Sequence, residues 1–266
     1  MLSCLIYRPR VISDTINTME HGIVLKPEIL GFLNVNIAGF AYKNFPITNT
    51  LLVSWMAMTL LTIVSIVATW RIKAVPAGLQ NFAEAVIDWG YSTVEGLSGK
   101  KTKVFFPLVM TFFLFILTVN WMGLLPGFGT ITYKGEPLFR SVNSDLNMTL
   151  GLALLSAFLT HAFAVKYLGI KNYLLKWVAL NPIFLFVGIL EIISEFTKII
   201  SLSFRLFGNI FAGEVVLSTV SGIFAFVVPL PFYFLEIIVG FVQAAVFAML
   251  TLVFMVLLSE KHGAEQ

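Results

Sequence analysis

Residues 181–218 read NPIFLFVGILEIISEFTKIISLSFRLFGNIFAGEVVLS. This stretch is mostly apolar, and its one proline, Pro182, stands at the start, where a helix accepts it. A helix of this length is about 55 Å long, well beyond the roughly 30 Å hydrocarbon core of a bilayer. The stretch therefore predicts a membrane helix that tilts steeply, bends or breaks, with Gly208, Gly213 and Gly222 as candidate flexible points.

The composition of the whole chain agrees with a membrane location. Of its 266 residues, 58% are hydrophobic and 12% are charged, whereas an ordinary soluble domain has about 25% charged residues. The mean hydropathy is +0.92. A soluble fold of this length would need a far more polar surface, so we predict an all-α integral membrane protein.

Apolar runs divide the chain into segments. We predict a membrane domain over 48–258 that follows an extramembrane arm, partly helical along the interface, at 1–47 and precedes a short tail at 259–266. Five transmembrane helices are expected at 49–70, 104–125, 146–165, 182–218 and 229–258, the last two long and steeply tilted. The stretch 78–97 carries Glu84, Asp88 and Glu95 between apolar residues and predicts an amphipathic interfacial helix.

Basic residues predict the orientation of these spans. The clusters from Arg71 to Lys103 and from Lys166 to Lys176 fall on one side if the spans alternate. Cytoplasmic loops carry the excess of Lys and Arg, so the N-terminus is expected outside and the C-terminus inside.

Several function classes are disfavoured. The net charge of +3 is too small to indicate nucleic-acid binding, and the single cysteine, Cys4, excludes a disulfide framework. The sequence has no Walker-type glycine loop and no His/Asp/Glu set with metal-ligand spacing, so we expect neither bound ATP nor any cofactor or metal. No nucleophile–base set indicates an enzyme.

The last two spans contain ionisable and polar side chains that the first three lack. They are Glu191, Glu195, Lys198, Arg205, Glu214, Glu236 and Gln243. One charge at the centre of a bilayer costs a free energy of about 2.5–3.5 kcal/mol on insertion scales. Such groups are therefore expected to have water, a partner or a functional role.

Helical geometry arranges these groups. At 100° per residue, Lys198 and Asn209 lie within about 40° of Arg205, as does Glu191, and Glu195 lies about 80° away. Glu214 points to the opposite face, about 13 Å along the axis. One helix thus presents a fixed cation on one side and a carboxylate on the other, while Glu236 and Gln243 share a face of the last helix.

Structural roles are the alternative interpretation. Glu191, Glu195 and Lys198 could form local ion pairs near a membrane surface, and Lys198 could extend to the headgroups. Arg205 could neutralise a nearby glutamate.

The uncharged polar residues have structural interpretations too. Gln243 could make only an interhelical hydrogen bond, and Asn209, beside Gly208, could serve local packing. His161 stands alone in the third span and is better explained by packing or an interfacial position than by proton relay.

Residues 201–214, SLSFRLFGNIFAGE, closely resemble the signature of F-type ATP synthase subunit a. The resemblance runs through the last 125 residues and includes SDLN at 144–147 and QAAVFAMLT at 243–251. It is weaker over NWMGLLP at 120–126.

This resemblance implies a role for each matching residue. Arg205 matches the essential arginine that faces a rotating ring of c subunits, with Asn209 beside it. Glu214 matches the acidic residue of the access pathway, and Gln243 matches the polar partner of the arginine. Glu236 stands where some members have histidine, which leaves the division of labour between the two glutamates open.

Further positions are candidates for lining aqueous half-channels. Glu191, Asp145 and Asn143 match polar positions of the family, and Glu195 and Lys198 extend the polar stripe around Arg205. The implied partners are the c-ring, the subunit b stalk, the rest of the ATP synthase and membrane lipids. The transported ion is H⁺ or Na⁺, because the carboxylate that binds it belongs to the ring.

The resemblance implies a bacterial plasma membrane, with the thylakoid or mitochondrial inner membrane as alternatives. Two other function classes compete with it. A secondary transporter would bind an anion at the intramembrane arginine, but such folds show repeated halves, and none is visible here. A membrane scaffold without transport would not need a stripe of ionisable groups.

Overall fold

The computed structural model describes most of the membrane domain and part of the segment before it. The described residues are 29–37, 40–70, 72–73, 75–76, 78–125, 128, 131–133, 136–137, 139–170, 173, 182–223 and 227–259. Most of the predicted arm and the tail from residue 260 onward lie outside these ranges, as does Cys4.

The part of the predicted arm that is described is not helical. Strands β1 (Ile29–Ile37) and β2 (Phe40–Thr48) pair in an antiparallel hairpin, with Ile37 opposite Phe40 and Ile29 opposite Thr48. The helical part expected in the arm does not lie in these residues, and for the rest of the arm it stays a prediction. Helix α1 (Asn49–Thr69) follows at once, and the Thr48 hydroxyl caps it by accepting a hydrogen bond from Leu51 N at 3.3 Å.

Helices α2 (Leu79–Ser98) and α3 (Thr102–Gly123) form a hairpin through a 3₁₀ turn at Gly99–Lys101. Their contacts run in antiparallel order, because the Tyr91 ring lies 5.3 Å from that of Phe106 and the Trp89 ring lies 5.6 Å from that of Phe113. The amphipathic helix predicted at 78–97 is confirmed as a helix, while its interfacial placement stays a prediction.

Three long helices complete the membrane domain: α4 (Leu146–Leu168), α5 (Pro182–Ile223) and α6 (Pro229–Ser259). In the loop before α4, strands β3 (Thr132–Tyr133) and β4 (Glu136–Pro137) form a short antiparallel pair. The 42-residue α5 continues unbroken through Gly208 and Gly213, so the helix does not break at these flexible points. It is about 63 Å long and exceeds the bilayer core, which requires tilt or projection beyond it.

Five helical segments of the described chain are long and apolar enough to cross a membrane. The second of these covers Leu79–Gly123 and so includes both α2 and α3. The prediction of a helical membrane protein with about five spans is confirmed, and the strands β1–β4 lie outside the helices that are long enough to cross a membrane.

The core lies where α3, α4, α5 and α6 meet. Phe105, Ile116, Leu206, Phe247, Leu252 and Met255 are fully buried there. Because membrane interiors gain little from hydrophobic burial, such contacts stabilise the bundle mainly through close packing.

Hydrogen bonds between distant segments show the direction in which the helices run and define two ends of the bundle. At one end, Lys101 Nζ donates to Ser259 O at 2.9 Å and joins the start of α3 to the end of α6. At the other, Asn120 Nδ2 donates to Gly240 O at 2.9 Å. We call these the Lys101 end and the Asn120 end.

Candidate functional site

Helix α5 carries polar groups at successive levels between the two ends. Near its middle, the Ser203 hydroxyl lies 3.2 Å from that of Thr149 on α4. Earlier on α5, a Glu195 carboxylate oxygen lies 3.7 Å from His161 Nε2 on α4. Thr149 and His161 are about 18 Å apart along their helix. Glu195 thus lies toward the Lys101 end, and α5 runs from there toward the Asn120 end.

Arg205 is exposed on the surface of α5 and opens on a cavity of about 430 Å³ between α5 and α6. We call this the lysine cavity, and it is lined by Leu190, Ile193, Ser194, Thr197, Lys198, Ser201, Leu202, Arg205, Leu250 and Phe254. Among the described residues Arg205 has no hydrogen bond or ion pair. The alternative of a local glutamate counter-ion is therefore not supported within this part of the chain.

One turn beyond Arg205, Asn209 Nδ2 donates a hydrogen bond of 2.8 Å to Gln243 Oε1 on α6. The Gln243 side chain is buried, and its Nε2 has no hydrogen-bond partner among the described residues. The resemblance implied that Gln243 pairs with the arginine, whereas the structure pairs it with Asn209. This bond joins α5 and α6 directly beyond the lysine cavity.

A second cavity of about 310 Å³ lies farther along the same two helices. We call this the glutamate cavity, and it is lined by Asn209, Ala212, Gly213, Val216, Leu217, Phe232, Leu235, Glu236 and Val239. The Glu236 carboxyl group packs against Gly213, where a Cβ atom would collide with it. Glu236 is 6% exposed, so the glycine provides the space for a buried carboxyl group.

Glu214 faces the loop before α4, on the side of α5 away from Arg205, as helical geometry predicted. Its carboxyl group interacts with the Ser144 side chain and with the charges of Arg140 and Glu236. Arg140 Nε donates to Ser144 Oγ at 3.3 Å. The two glutamates are thus electrostatic neighbours.

Arg140 was not predicted as a site residue. In the sequence it is one charge of a polar loop, distant from Glu214 along the chain, and only the packing of that loop on α5 brings the two together.

Asn143 and Asp145 belong to a buried polar cluster at the Asn120 end. Asn143 Nδ2 donates to Asn120 Oδ1 at 2.6 Å, and no partner for Asn143 Oδ1 occurs in the part of the chain that the structure describes. Asp145 caps α4 by accepting from Asn147 N at 3.0 Å, and it also accepts from the Thr50 hydroxyl at 3.2 Å. Asp145 is thus the N-cap residue of α4.

The acidic and basic residues early in α5 form a local ion pair. Lys198 Nζ lies 2.6 Å from Glu195 Oε1, three residues earlier, and 4.6 Å from the centroid of the Phe254 ring. Glu191 is partly buried one turn before Glu195. The local ion pair is confirmed, and it still leaves Lys198 on the wall of the lysine cavity.

Together these groups form two polar regions on one helix. The lysine cavity uses α5 residues up to Arg205, and the glutamate cavity uses those from Asn209 onward, so the two meet at one helical turn. No group of three or more His, Cys, Asp or Glu residues able to hold a metal occurs among the described residues.

Known proteins resemble this chain over most of its length. The sequence profile described as ATP synthase A chain matches residues 51–256. The ATP synthase subunit a of Geobacter sp. strain M21 is 38% identical over 206 residues, covering 76% of this chain and 83% of the relative. That of Trichlorobacter lovleyi is 31% identical over 230 residues, covering 85% and 93%.

Proposed function

Because the chain belongs to the ATP synthase A chain family, we propose that it forms the stationary ion pathway of a rotary ATP synthase. It is not an enzyme by itself but an ion-translocating membrane subunit of that complex. In the proposal it lies against a ring of c subunits, is held by the subunit b stalk and conducts protons through two half-channels. The bacterial sources of its relatives support a bacterial plasma membrane.

The observation that carries the proposal is the position of Arg205 between two offset cavities. The lysine cavity lies on the Lys101 side of this residue, and the glutamate cavity lies on the Asn120 side. A proton that enters one cavity does not reach the other without passing a permanent cation. A half-channel from each side of the membrane, interrupted at Arg205, has this geometry.

The exposed guanidinium provides the coupling step. It stays charged at all relevant pH values, and it favours the ionised form of a ring carboxylate that reaches it, which then releases its proton. Away from the arginine and facing lipid, the same carboxylate must be neutral because burying its charge is too costly. Protons therefore cross only when the ring turns.

Glu236 and Glu214 continue the pathway beyond the glutamate cavity. Glu236 lines that cavity and is an electrostatic neighbour of Glu214, which faces Ser144 in the loop at the Asn120 end. Protons would pass between the two carboxyl groups and the outside. Each proton crossing contributes about 2.3 kcal/mol per 100 mV of membrane potential.

Removal of the arginine tests the proposal. Arg205→Ala in the complete ATP synthase should abolish ATP-driven proton pumping into inverted membrane vesicles while ATP hydrolysis by the soluble sector continues. Lys73→Gln is the matched control, since it removes an exposed cation outside both cavities and should leave pumping unchanged. Pumping by the Arg205→Ala complex at the unmodified rate would exclude Arg205 from the mechanism.

A further inference from the structure

A group of titratable side chains lies between α4 and α5 on the Lys101 side of the lysine cavity. The His161 Nε2 atom is 3.7 Å from Glu195 Oε2, and His161 Nδ1 is 3.0 Å from the Tyr173 hydroxyl. The other carboxylate oxygen of Glu195 holds Lys198 at 2.6 Å. His161 is therefore not an isolated packing residue of its span.

The contacts of His161 suit a group that gains and loses a proton. A tyrosine hydroxyl both donates and accepts, so Tyr173 can satisfy Nδ1 whether or not that nitrogen carries a proton. The opposite nitrogen faces a carboxylate, which stabilises the charged imidazolium. Both protonation states thus have a hydrogen-bonding partner in the same side-chain arrangement.

The group is partly exposed, and it adjoins the wall of the lysine cavity through Lys198. The His161 side chain is 28% exposed and that of Glu195 is 13% exposed. Lys198, bound to Glu195, is part of the wall of the lysine cavity, which reaches Arg205. From Lys198 to Arg205 the distance along α5 is about 10 Å.

We propose that His161 and Glu195 form a proton-exchange pair that links the aqueous phase at the Lys101 end to the lysine cavity. This inference rests on the proposed function and assigns residues to one of its two half-channels. Among the described residues, Tyr173 and Lys198 are titratable groups in contact with the pair, and Glu191 lies one turn before Glu195 on α5. On α6, Phe254 packs against Lys198.

The transfer balances as follows when protons move inward. A hydronium ion at the Lys101 end protonates Nε2 of the neutral His161, whose Nδ1–H donates to the Tyr173 oxygen, and the imidazolium forms. His161 releases the proton on Nε2 to Glu195 Oε2, since a small rotation brings the two atoms within hydrogen-bonding distance. Glu195 then gives this proton to water in the lysine cavity and regains its ion pair with Lys198, and the imidazole is again neutral with its proton on Nδ1. The same steps in reverse drain the cavity.

His161→Gln tests this pair in the complete ATP synthase. Glutamine retains hydrogen-bonding groups but does not titrate. Pumping into inverted vesicles is measured while the outer medium, which bathes the predicted cytoplasmic side, is varied from about pH 6 to about pH 8, because an ordinary histidine titrates in this range. We expect pumping to fall at least about threefold at the alkaline end and little at the acidic end, and added imidazole to restore part of it.

Two further variants keep the test decisive. Tyr173→Phe keeps the ring contact with His161 and loses the hydroxyl, so it should move the pH profile in the same direction. If His161→Gln does not assemble, the pH profile of Tyr173→Phe provides the test. Thr251→Val is the control, because it removes a buried hydrogen bond of 2.8 Å between α4 and α6 without removing a titratable group. Its pH profile should run parallel to that of the unmodified complex.

The outcomes separate this inference from the proposed function. A parallel profile for His161→Gln, or for Tyr173→Phe if the first variant does not assemble, overturns the exchange pair and leaves the role of Arg205 untouched. Continued pumping by Arg205→Ala would instead overturn the proposed function, whatever the behaviour of His161.

Discussion

The carboxyl group of Glu236 on α6 lies directly against Gly213 on α5, in the space that a side chain at position 213 would occupy. This contact places a buried carboxyl group beside Glu214, the next residue of α5. The distance between the two acidic groups therefore depends on the absence of a side chain at one position.

Gly213→Ala should slow proton pumping about tenfold, because the added methyl group displaces the Glu236 carboxyl group and small misplacements of reacting groups are costly. Pumping into inverted vesicles, corrected for the amount of assembled complex, measures the effect. Gly222→Ala is the matched control, since a Cβ atom at this position of α5 meets no described residue within 4 Å. Shortening the acid in Gly213→Ala/Glu236→Asp should restore part of the rate, and equal pumping by both alanine variants would contradict the close packing.

Glu214→Gln should slow proton flux without blocking assembly, because the amide keeps the size and polarity of the carboxyl group but does not carry a proton between Glu236 and the loop at Ser144. Passive flux through vesicles stripped of the soluble sector provides the measurement. Normal flux in this variant would assign the relay to Glu236, and Glu236→Gln measured alongside would then show the larger loss.

Asn120→Ala should destabilise the membrane domain. The asparagine donates to Gly240 O and accepts from Asn143 Nδ2 in a buried position, so its loss leaves buried groups unpaired at about 1–3 kcal/mol each. The thermal midpoint for unfolding of the detergent-solubilised complex should fall. Ser92→Ala removes an exposed bond within α2 and serves as the control; a midpoint as high in Asn120→Ala as in Ser92→Ala would exclude this role.

Helical periodicity explains why much of the fold and part of the site could be predicted from the sequence. Once residues 182–223 form one helix, the 100° step fixes that Arg205 and Glu214 point to opposite faces. Arg205 indeed opens on the lysine cavity, and Glu214 faces the loop before α4. The apolar runs predicted the helices for an equally strong reason. No other regular element of that length satisfies its backbone hydrogen bonds within a bilayer.

Contacts that depend on loop packing and on the register between helices could not be predicted from helical periodicity. The proximity of Arg140 to Glu214 and of His161 to Glu195 arises from packing between distant segments, and no local period encodes it. The β1–β2 hairpin did leave a local signal that was missed. Leu33, Val35 and Ile37 alternate with asparagines, which is the two-residue period of a strand rather than of a helix.

Since α5 is one uninterrupted helix, a single helical register sets the walls that it contributes to both cavities. Adding or deleting one residue between Arg205 and Asn209 would turn one wall by about 100° relative to the other and shift it by about 1.5 Å. A substitution in this segment keeps the helical register, whereas an insertion or a deletion changes it. Evolutionary change in this segment is therefore confined to substitution, and chimaeras between relatives should be joined outside it.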